Sequence, residues 1–257
     1  MKKDIKKLKF LVLALGTCAA ALISPAQNAN AEIFNAEQTK EIEVLFKKFL
    51  SDNPELILKS VDDFRSVQEK KTQQSAQKNL EEYASYFADE NLPSAGNPKG
   101  DVTIVEYFDY NCGYCRKAFA DIVKIIEEDK NIRVIFQEMP ILSPSSIKMA
   151  SIAMAAHKQG KYFEMHAALM DYKGGQSDSA FYGVAEKLGL DIEKLKADAA
   201  SADVKAQIRK ATDMARSLDI RGTPGFIIGN KIYPGYIGLD GLRDAVKAAR
   251  ANKAKGE

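Results

Sequence analysis

The chain has 257 residues, with 37 Lys and Arg against 35 Asp and Glu for a formal charge of +2, and it carries three cysteines and no tryptophan. Residues 1–31 hold five of the Lys and one Asp, so the other 226 residues keep 32 basic against 34 acidic side chains, a formal −2. The basicity belongs to the amino-terminal segment, and with basic and acidic residues alternating elsewhere, no nucleic-acid partner is expected.

Lys2, Lys3, Lys6, Lys7 and Lys9 precede an apolar run from Phe10 to Ile23, and Ala29-Asn30-Ala31 stands just before Glu32. This is the layout of a secretory signal peptide, with cleavage expected after Ala31. The run falls short of the roughly 20 apolar residues that a membrane span needs, and it ends in Ser24, Pro25, Gln27 and Asn28. Leu15-Gly16-Thr17-Cys18 outlines a lipoprotein site as the alternative, but Thr17 is bulky for that position and Ala19 to Ile23 stay apolar beyond Cys18.

In residues 32–92, Ile42, Leu45, Phe46, Phe49 and Leu50 recur at helical spacing on one face. Asn53-Pro54 ends that helix and opens another, since Asn caps well and Pro suits a first helical position. Ile57, Val61, Phe64 and Val67 form a second apolar stripe, followed by a polar series from Gln68 to Asn79 and apolar side chains again at Leu80, Tyr83 and Phe87. Such a helix is either a solvated spacer or part of an oligomeric bundle. Pro93-Ser94-Ala95-Gly96-Asn97-Pro98 reads as a loop or linker.

Val102 to Phe108 reads as a buried strand that runs into Cys112-Gly113-Tyr114-Cys115. A helix pattern at Phe119, Ile122, Val123 and Ile126 and a second strand at Ile132 to Phe136 complete a βαβ unit with parallel pairing. From Pro144 to about Leu218 the pattern is helical, with a break at Gly174-Gly175 and two further amphipathic stretches after it. Strand character returns at Phe226 to Ile228 and at Lys231 to Tyr233, around a Gly229-Asn230 turn, and a final helix covers Leu239 to about Ala251. The fold class is α/β.

Beyond residue 31 the only cysteines are Cys112 and Cys115, and a bridge across two intervening residues restrains almost nothing, so chemistry explains the pair better than structure does. At a strand-to-helix junction the first cysteine meets free backbone N–H groups and the helix dipole, which favour a thiolate. The second, nearly a turn later, can attack a mixed disulfide. Cys112 is therefore the candidate nucleophile and Cys115 the resolving thiol. A zinc site would need two more ligands, and His157 and His166, with eight residues between them, lie outside the usual spacing; they read as solvated or satisfied residues on the insertion helices. No metal and no cofactor are expected. Glu106 is a charge within an apolar strand, on the same face as Phe108. It is either buried, which raises its pKa, or an edge-strand residue reaching solvent.

The run Glu106-Tyr107-Phe108-Asp109-Tyr110-Asn111-Cys112-Gly113-Tyr114-Cys115, together with Gly222-Thr223-Pro224 before the third strand, resembles the DsbA family, particularly the branch of the suppressor-of-copper-sensitivity C proteins. The resemblance implies a thioredoxin-like fold over 93–257 with a helical insertion at about 144–218, preceded by an oligomerisation region at 32–92. It implies that Glu106 helps move the proton of the resolving thiol. It also implies that Pro224 is cis beside Cys112, leaving the Thr223 backbone to pair with a substrate strand, and that Tyr114 contacts substrate. A homotrimer in the periplasm is expected, acting on exported cysteine-containing proteins and served by a membrane thiol-disulfide electron-transfer partner. No His stands between the cysteines, and Gly-Tyr is the dipeptide of the separate DsbC isomerases, so isomerisation or reduction is the first reading. A monomeric oxidase is the enzyme alternative; a copper-binding or holdase module, its dithiol binding copper(I), is the other, and Met139, Met149, Met154 and Met165, at helical spacing, read as core filler rather than as support for it.

Overall fold

The computed structural model describes residues 34–255; the expected signal peptide, the expected cleavage after Ala31 and Cys18 lie outside them. The chain divides into two units, one ending at Ser60 and the other running from Val61. In the first, α1 (Ala36–Asp52) begins with a capping box. Asn35 accepts the Gln38 N–H, and the Gln38 side chain accepts the Asn35 N–H. Asn53 ends α1 by donating to the Phe49 carbonyl, and Pro54 opens α2 (Pro54–Glu82). Every side chain of α1 is at least partly open to solvent, including Leu45 and Phe46.

The second unit is built on a sheet of order β1-β3-β2-β4-β5. Its strands are β1 (Ser94–Gly96), β2 (Val102–Phe108), β3 (Ile132–Glu138), β4 (Gly225–Ile228) and β5 (Lys231–Pro234). Only β2 and β3 are parallel, joined through α4 (Gly113–Glu128). Because β2 is central and covered on both faces, it reads as a nearly continuous apolar run. Val102, Ile104 and Phe108 face α4, the terminal helix α10 (Gly238–Lys255) and the insertion; Val105 and Tyr107 face the other side.

The insertion holds α5 (Pro144–His157), α6 (Tyr162–Asp171), α7 (Asp178–Lys187), α8 (Ile192–Ala200) and α9 (Ala202–Ser217). Three helices therefore follow Gly174-Gly175 rather than two stretches, because Ser201 ends α8 and its hydroxyl caps α9 without a spacer.

Two expectations change along residues 68–98. Pro93–Pro98 contains β1, whose antiparallel pairing with β3 satisfies backbone groups that an isolated loop would leave to water. Gly96 permits it: at φ +82°, a Cβ there would lie 2.6 Å from the Ile132 carbonyl oxygen. The other change concerns α2, which runs unbroken through the polar stretch before Leu80 is buried. With Phe87 of α3 (Ala84–Phe87), Leu80 packs on Val105, Tyr107, Ile135 and Leu218. Arg133 fastens this turn by donating to the carbonyls of Phe87 (3.0 Å) and Asp89 (2.6 Å). The core from Val102 onward thus includes the end of the 32–92 region, because Leu80 and Phe87 cover that sheet face together with Met214 and Ala215 of α9 and the following Leu218.

Candidate active site

Cys112 is the N-cap of α4, with extended backbone, and Cys115 lies in its first turn. Cys112 Sγ accepts the Cys115 N–H at 3.3 Å and contacts the Thr223 carbonyl oxygen as a donor at 3.3 Å. Both thiols are free; Cys112 is 7% exposed and Cys115 fully buried. The Thr223–Pro224 peptide is cis. The structure therefore brings together Cys112, Cys115, Thr223 and Pro224 across 111 residues of chain.

Glu106 sits on β2 with no exposure, and neither carboxyl oxygen has a hydrogen-bond partner. Burial first, then Cys112 and Glu138, push its pKa well up, because an ionised carboxylate there lacks both water and donors. Burial, followed by the charge of Glu106, likewise pushes the Cys115 thiol far up. Cys115 therefore needs a base to become a nucleophile, and the acid that raises it is that base's candidate. Tyr114 is 60% exposed and stacks at a tilt on Tyr236, with ring centres 5.9 Å apart. Tyr236, on the β5–α10 connection, donates to Asp121 at 2.6 Å.

The strand-to-helix turn is held from below by Asp109. Its carboxylate accepts the N–H groups of Asn111 (2.8 Å), Ile141 (2.8 Å) and Leu142 (2.9 Å) and the Ser146 hydroxyl (2.7 Å). Asp109→Ala is expected to cost about 3 kcal/mol, since hydrogen bonds to a buried charge contribute roughly 1.5–3 kcal/mol each and their donors would be stranded. A urea titration of the variant checks this; an unchanged midpoint would mean that water replaces the carboxylate.

Sequence reasoning missed the polar cluster behind the cysteines. His166 is fully buried, not solvated, with Nδ1 3.0 Å from the Tyr110 hydroxyl and Nε2 unpartnered. Glu138, Tyr110 and Tyr162 join it. The available signal was Glu138 itself, a charge ending an apolar strand as Glu106 interrupts one. His157 is satisfied by the Asn91 carbonyl at 2.7 Å. Met139, Met149, Met154 and Met165 are buried in the cores, where a flexible thioether fills gaps.

The model of the DSBA-like thioredoxin domain matches residues 103–247, more than half of the chain. The chain belongs to the DSBA-like thioredoxin family. Among solved structures, a thioredoxin-like oxidoreductase from Silicibacter pomeroyi is 41% identical, with 64% of this chain and 95% of that chain covered and a TM-score of 0.62. Proteus mirabilis ScsC in a transitional conformation is 26% identical, with 86% and 98% covered and a TM-score of 0.61. A Na(+)/H(+) antiporter NhaA 1 of Salinispora arenicola also matches, 30% identical over 61% of this chain and 24% of that relative. The chain spans about a quarter of the length of the curated antiporters it matches. It is an ScsC-like member of the DsbA family with the fold of a thiol-disulfide oxidoreductase. No described helix is long and apolar enough to cross a membrane.

Proposed function

We propose that the protein isomerises or reduces disulfides of exported proteins in the periplasm, through Cys112 as nucleophile and Cys115 as resolving thiol. The placement of Cys112 carries this reading: its sulfur heads α4, accepts the Cys115 N–H and faces the Thr223 carbonyl beside a cis Pro224. The Cys112 thiolate attacks one sulfur of a substrate disulfide, forming a mixed disulfide and expelling the other sulfur as a thiolate that takes a proton from water. Another substrate thiolate can then displace Cys112, which completes an isomerisation with the dithiol still reduced. Alternatively, Cys115 displaces the substrate, leaving an oxidised pair for a membrane electron-transfer partner to reduce.

An extended substrate strand pairs with the Thr223 backbone, against an exposed wall formed by Tyr114. The Gly-Tyr dipeptide leaves out the His that would further stabilise the Cys112 thiolate, which favours a reducing or isomerising role over strong oxidation. Self-association, with a homotrimer as the expected state, would cover the apolar faces that α1 and the first half of α2 leave open. Leu45, Leu58 and Phe64 are each about two-thirds exposed.

Recovery of activity from scrambled ribonuclease tests the direction. Unscrambling faster than reduced ribonuclease is oxidised supports the isomerase; the reverse order makes the protein an oxidase. Glu106→Gln is expected to slow insulin reduction by about tenfold to a hundredfold while leaving the fold intact, because an amide of the same shape cannot take a proton. Equal rates for both forms from pH 6 to 8 would remove Glu106 from the mechanism.

A further inference from the structure

In the parallel register, Glu106 pairs with Phe136 and Glu138 with Phe108, so the two acids come from neighbouring strands and share the face of the sheet that carries the cysteines. Glu106 has no partner for either oxygen, whereas Glu138 Oε1 accepts the hydroxyls of Tyr110 at 3.1 Å and Tyr162 at 2.9 Å. Tyr110 has one hydroxyl proton and directs it to Glu138. Its 3.0 Å contact with His166 therefore requires Nδ1 to be the donor. That tautomer leaves His166 Nε2 a bare acceptor, in agreement with its having no partner. Burial keeps the imidazole neutral, with its pKa pushed down to about 3.

A chain of donors thus runs from His166 through Tyr110 to Glu138, and Tyr162 adds a second. It ends on a carboxyl that burial pushes up to about 8 even with both hydroxyls favouring its ionised form. We propose that Glu138 is a positioning residue of the dithiol chemistry: with Glu106 it forms a buried acid pair in which the charge on Glu138 sets how firmly Glu106 keeps the proton exchanged with Cys115. The proposal rests on the reading of Cys112 and Cys115 as the redox pair. Two like charges in one poorly solvated site disfavour each other, so the pair titrates as a unit.

The step at stake is resolution. The Cys115 thiol passes its proton to the Glu106 carboxylate, and its sulfur bonds to Cys112 Sγ. The Cys112–substrate S–S bond breaks with its electron pair on the substrate sulfur. The dithiol is oxidised and the substrate reduced. Glu106 must be ionised before the step and neutral after it. An ionised Glu138 makes Glu106 a stronger base that is less often available. The groups facing Glu138 are Glu106 from β2, Asp109 and Tyr110 from the β2–α4 turn, and Tyr162 and His166 from α6. Glu138 also lines a cavity of about 340 Å³ beside Tyr86, Asp89, His157 and Lys210.

The test uses the reduced chain from Glu32 onward, whose only cysteines are Cys112 and Cys115, and dithionitrobenzoate. The first thionitrobenzoate is released as Cys112 is labelled, and the second as Cys115 resolves that adduct. The pH profile of the second release is read from pH 5 to 9. Glu138→Gln is expected to move its inflection about one unit toward acid, which makes release about tenfold faster below the inflection. Tyr162→Phe, which removes one donor from the Glu138 carboxylate, is expected to move it the same way by less, and it carries the test if Glu138→Gln does not fold. In a Glu106→Gln background neither substitution should shift the profile. An unmoved inflection in the folded variants, or an equal shift without Glu106, overturns the proposal. Failure of Cys112 to release the first thionitrobenzoate would instead defeat the dithiol reading itself.

Discussion

Cys112→Ser is expected to abolish insulin reduction and ribonuclease unscrambling, a loss of about a thousandfold or more, since the remaining thiol at the site, Cys115, is fully buried and cannot reach a substrate disulfide. Cys115→Ser should behave differently. Its Cys112 can still attack a substrate disulfide, but the buried group that would complete release is gone, so mixed disulfides accumulate and appear as higher-mass species on non-reducing gels. The asymmetry follows from position. Cys112 is the N-cap, meets the first-turn N–H of Cys115 and faces Thr223, while Cys115 is sealed beneath it. Alkylation of the reduced protein at neutral pH provides an independent check: labelling of Cys115 before Cys112 would reverse the assignment.

Two truncations are expected to give opposite results. Removing the chain through residue 67 takes away the exposed apolar stripes, and the product should be a folded, redox-competent monomer that has lost most unscrambling activity. Removing it through residue 92 should instead unfold the protein. That cut strips Leu80 and Phe87 from a core shared with Val105, Tyr107 and Ile135, and it removes the carbonyls that hold Arg133. Losing a buried Leu and Phe costs about 2–5 kcal/mol apiece, together on the scale of the whole stability of a domain. Light scattering and circular dichroism on both products decide the matter. A folded second truncation would show that Met214, Ala215 and Leu218 cover that sheet face sufficiently by themselves, and a monomeric full-length protein would remove the oligomer from the isomerase reading.

Much of the catalytic unit was legible in the order of residues. Val102–Phe108 is apolar almost throughout because a central strand is covered on both faces, and the α4 pattern at Phe119, Ile122 and Ile126 has a clear period. Cys-x-x-Cys announces itself through spacing alone. β1 was not legible: three small or polar residues between prolines have no strand pattern, and only the partner β3 makes them one. The apolar side chains Leu80, Tyr83 and Phe87 were visible in sequence, but the surface they cover was not.

The sequence by itself determined the chemistry available, namely two thiols at a helix start, with an acid at the one position in an apolar strand where a charge has no local excuse. Local propensity and spacing act over a few residues, and these features lie within ten residues of one another. Only the tertiary structure decided that Thr223 meets Cys112 from 111 positions away, that Glu106 has no donor to satisfy it, and that Glu138, Tyr110, Tyr162 and His166 converge behind the dithiol. Those facts depend on which long-range surfaces exclude water together, and burial of that kind is a property of the packed fold rather than of any segment within it.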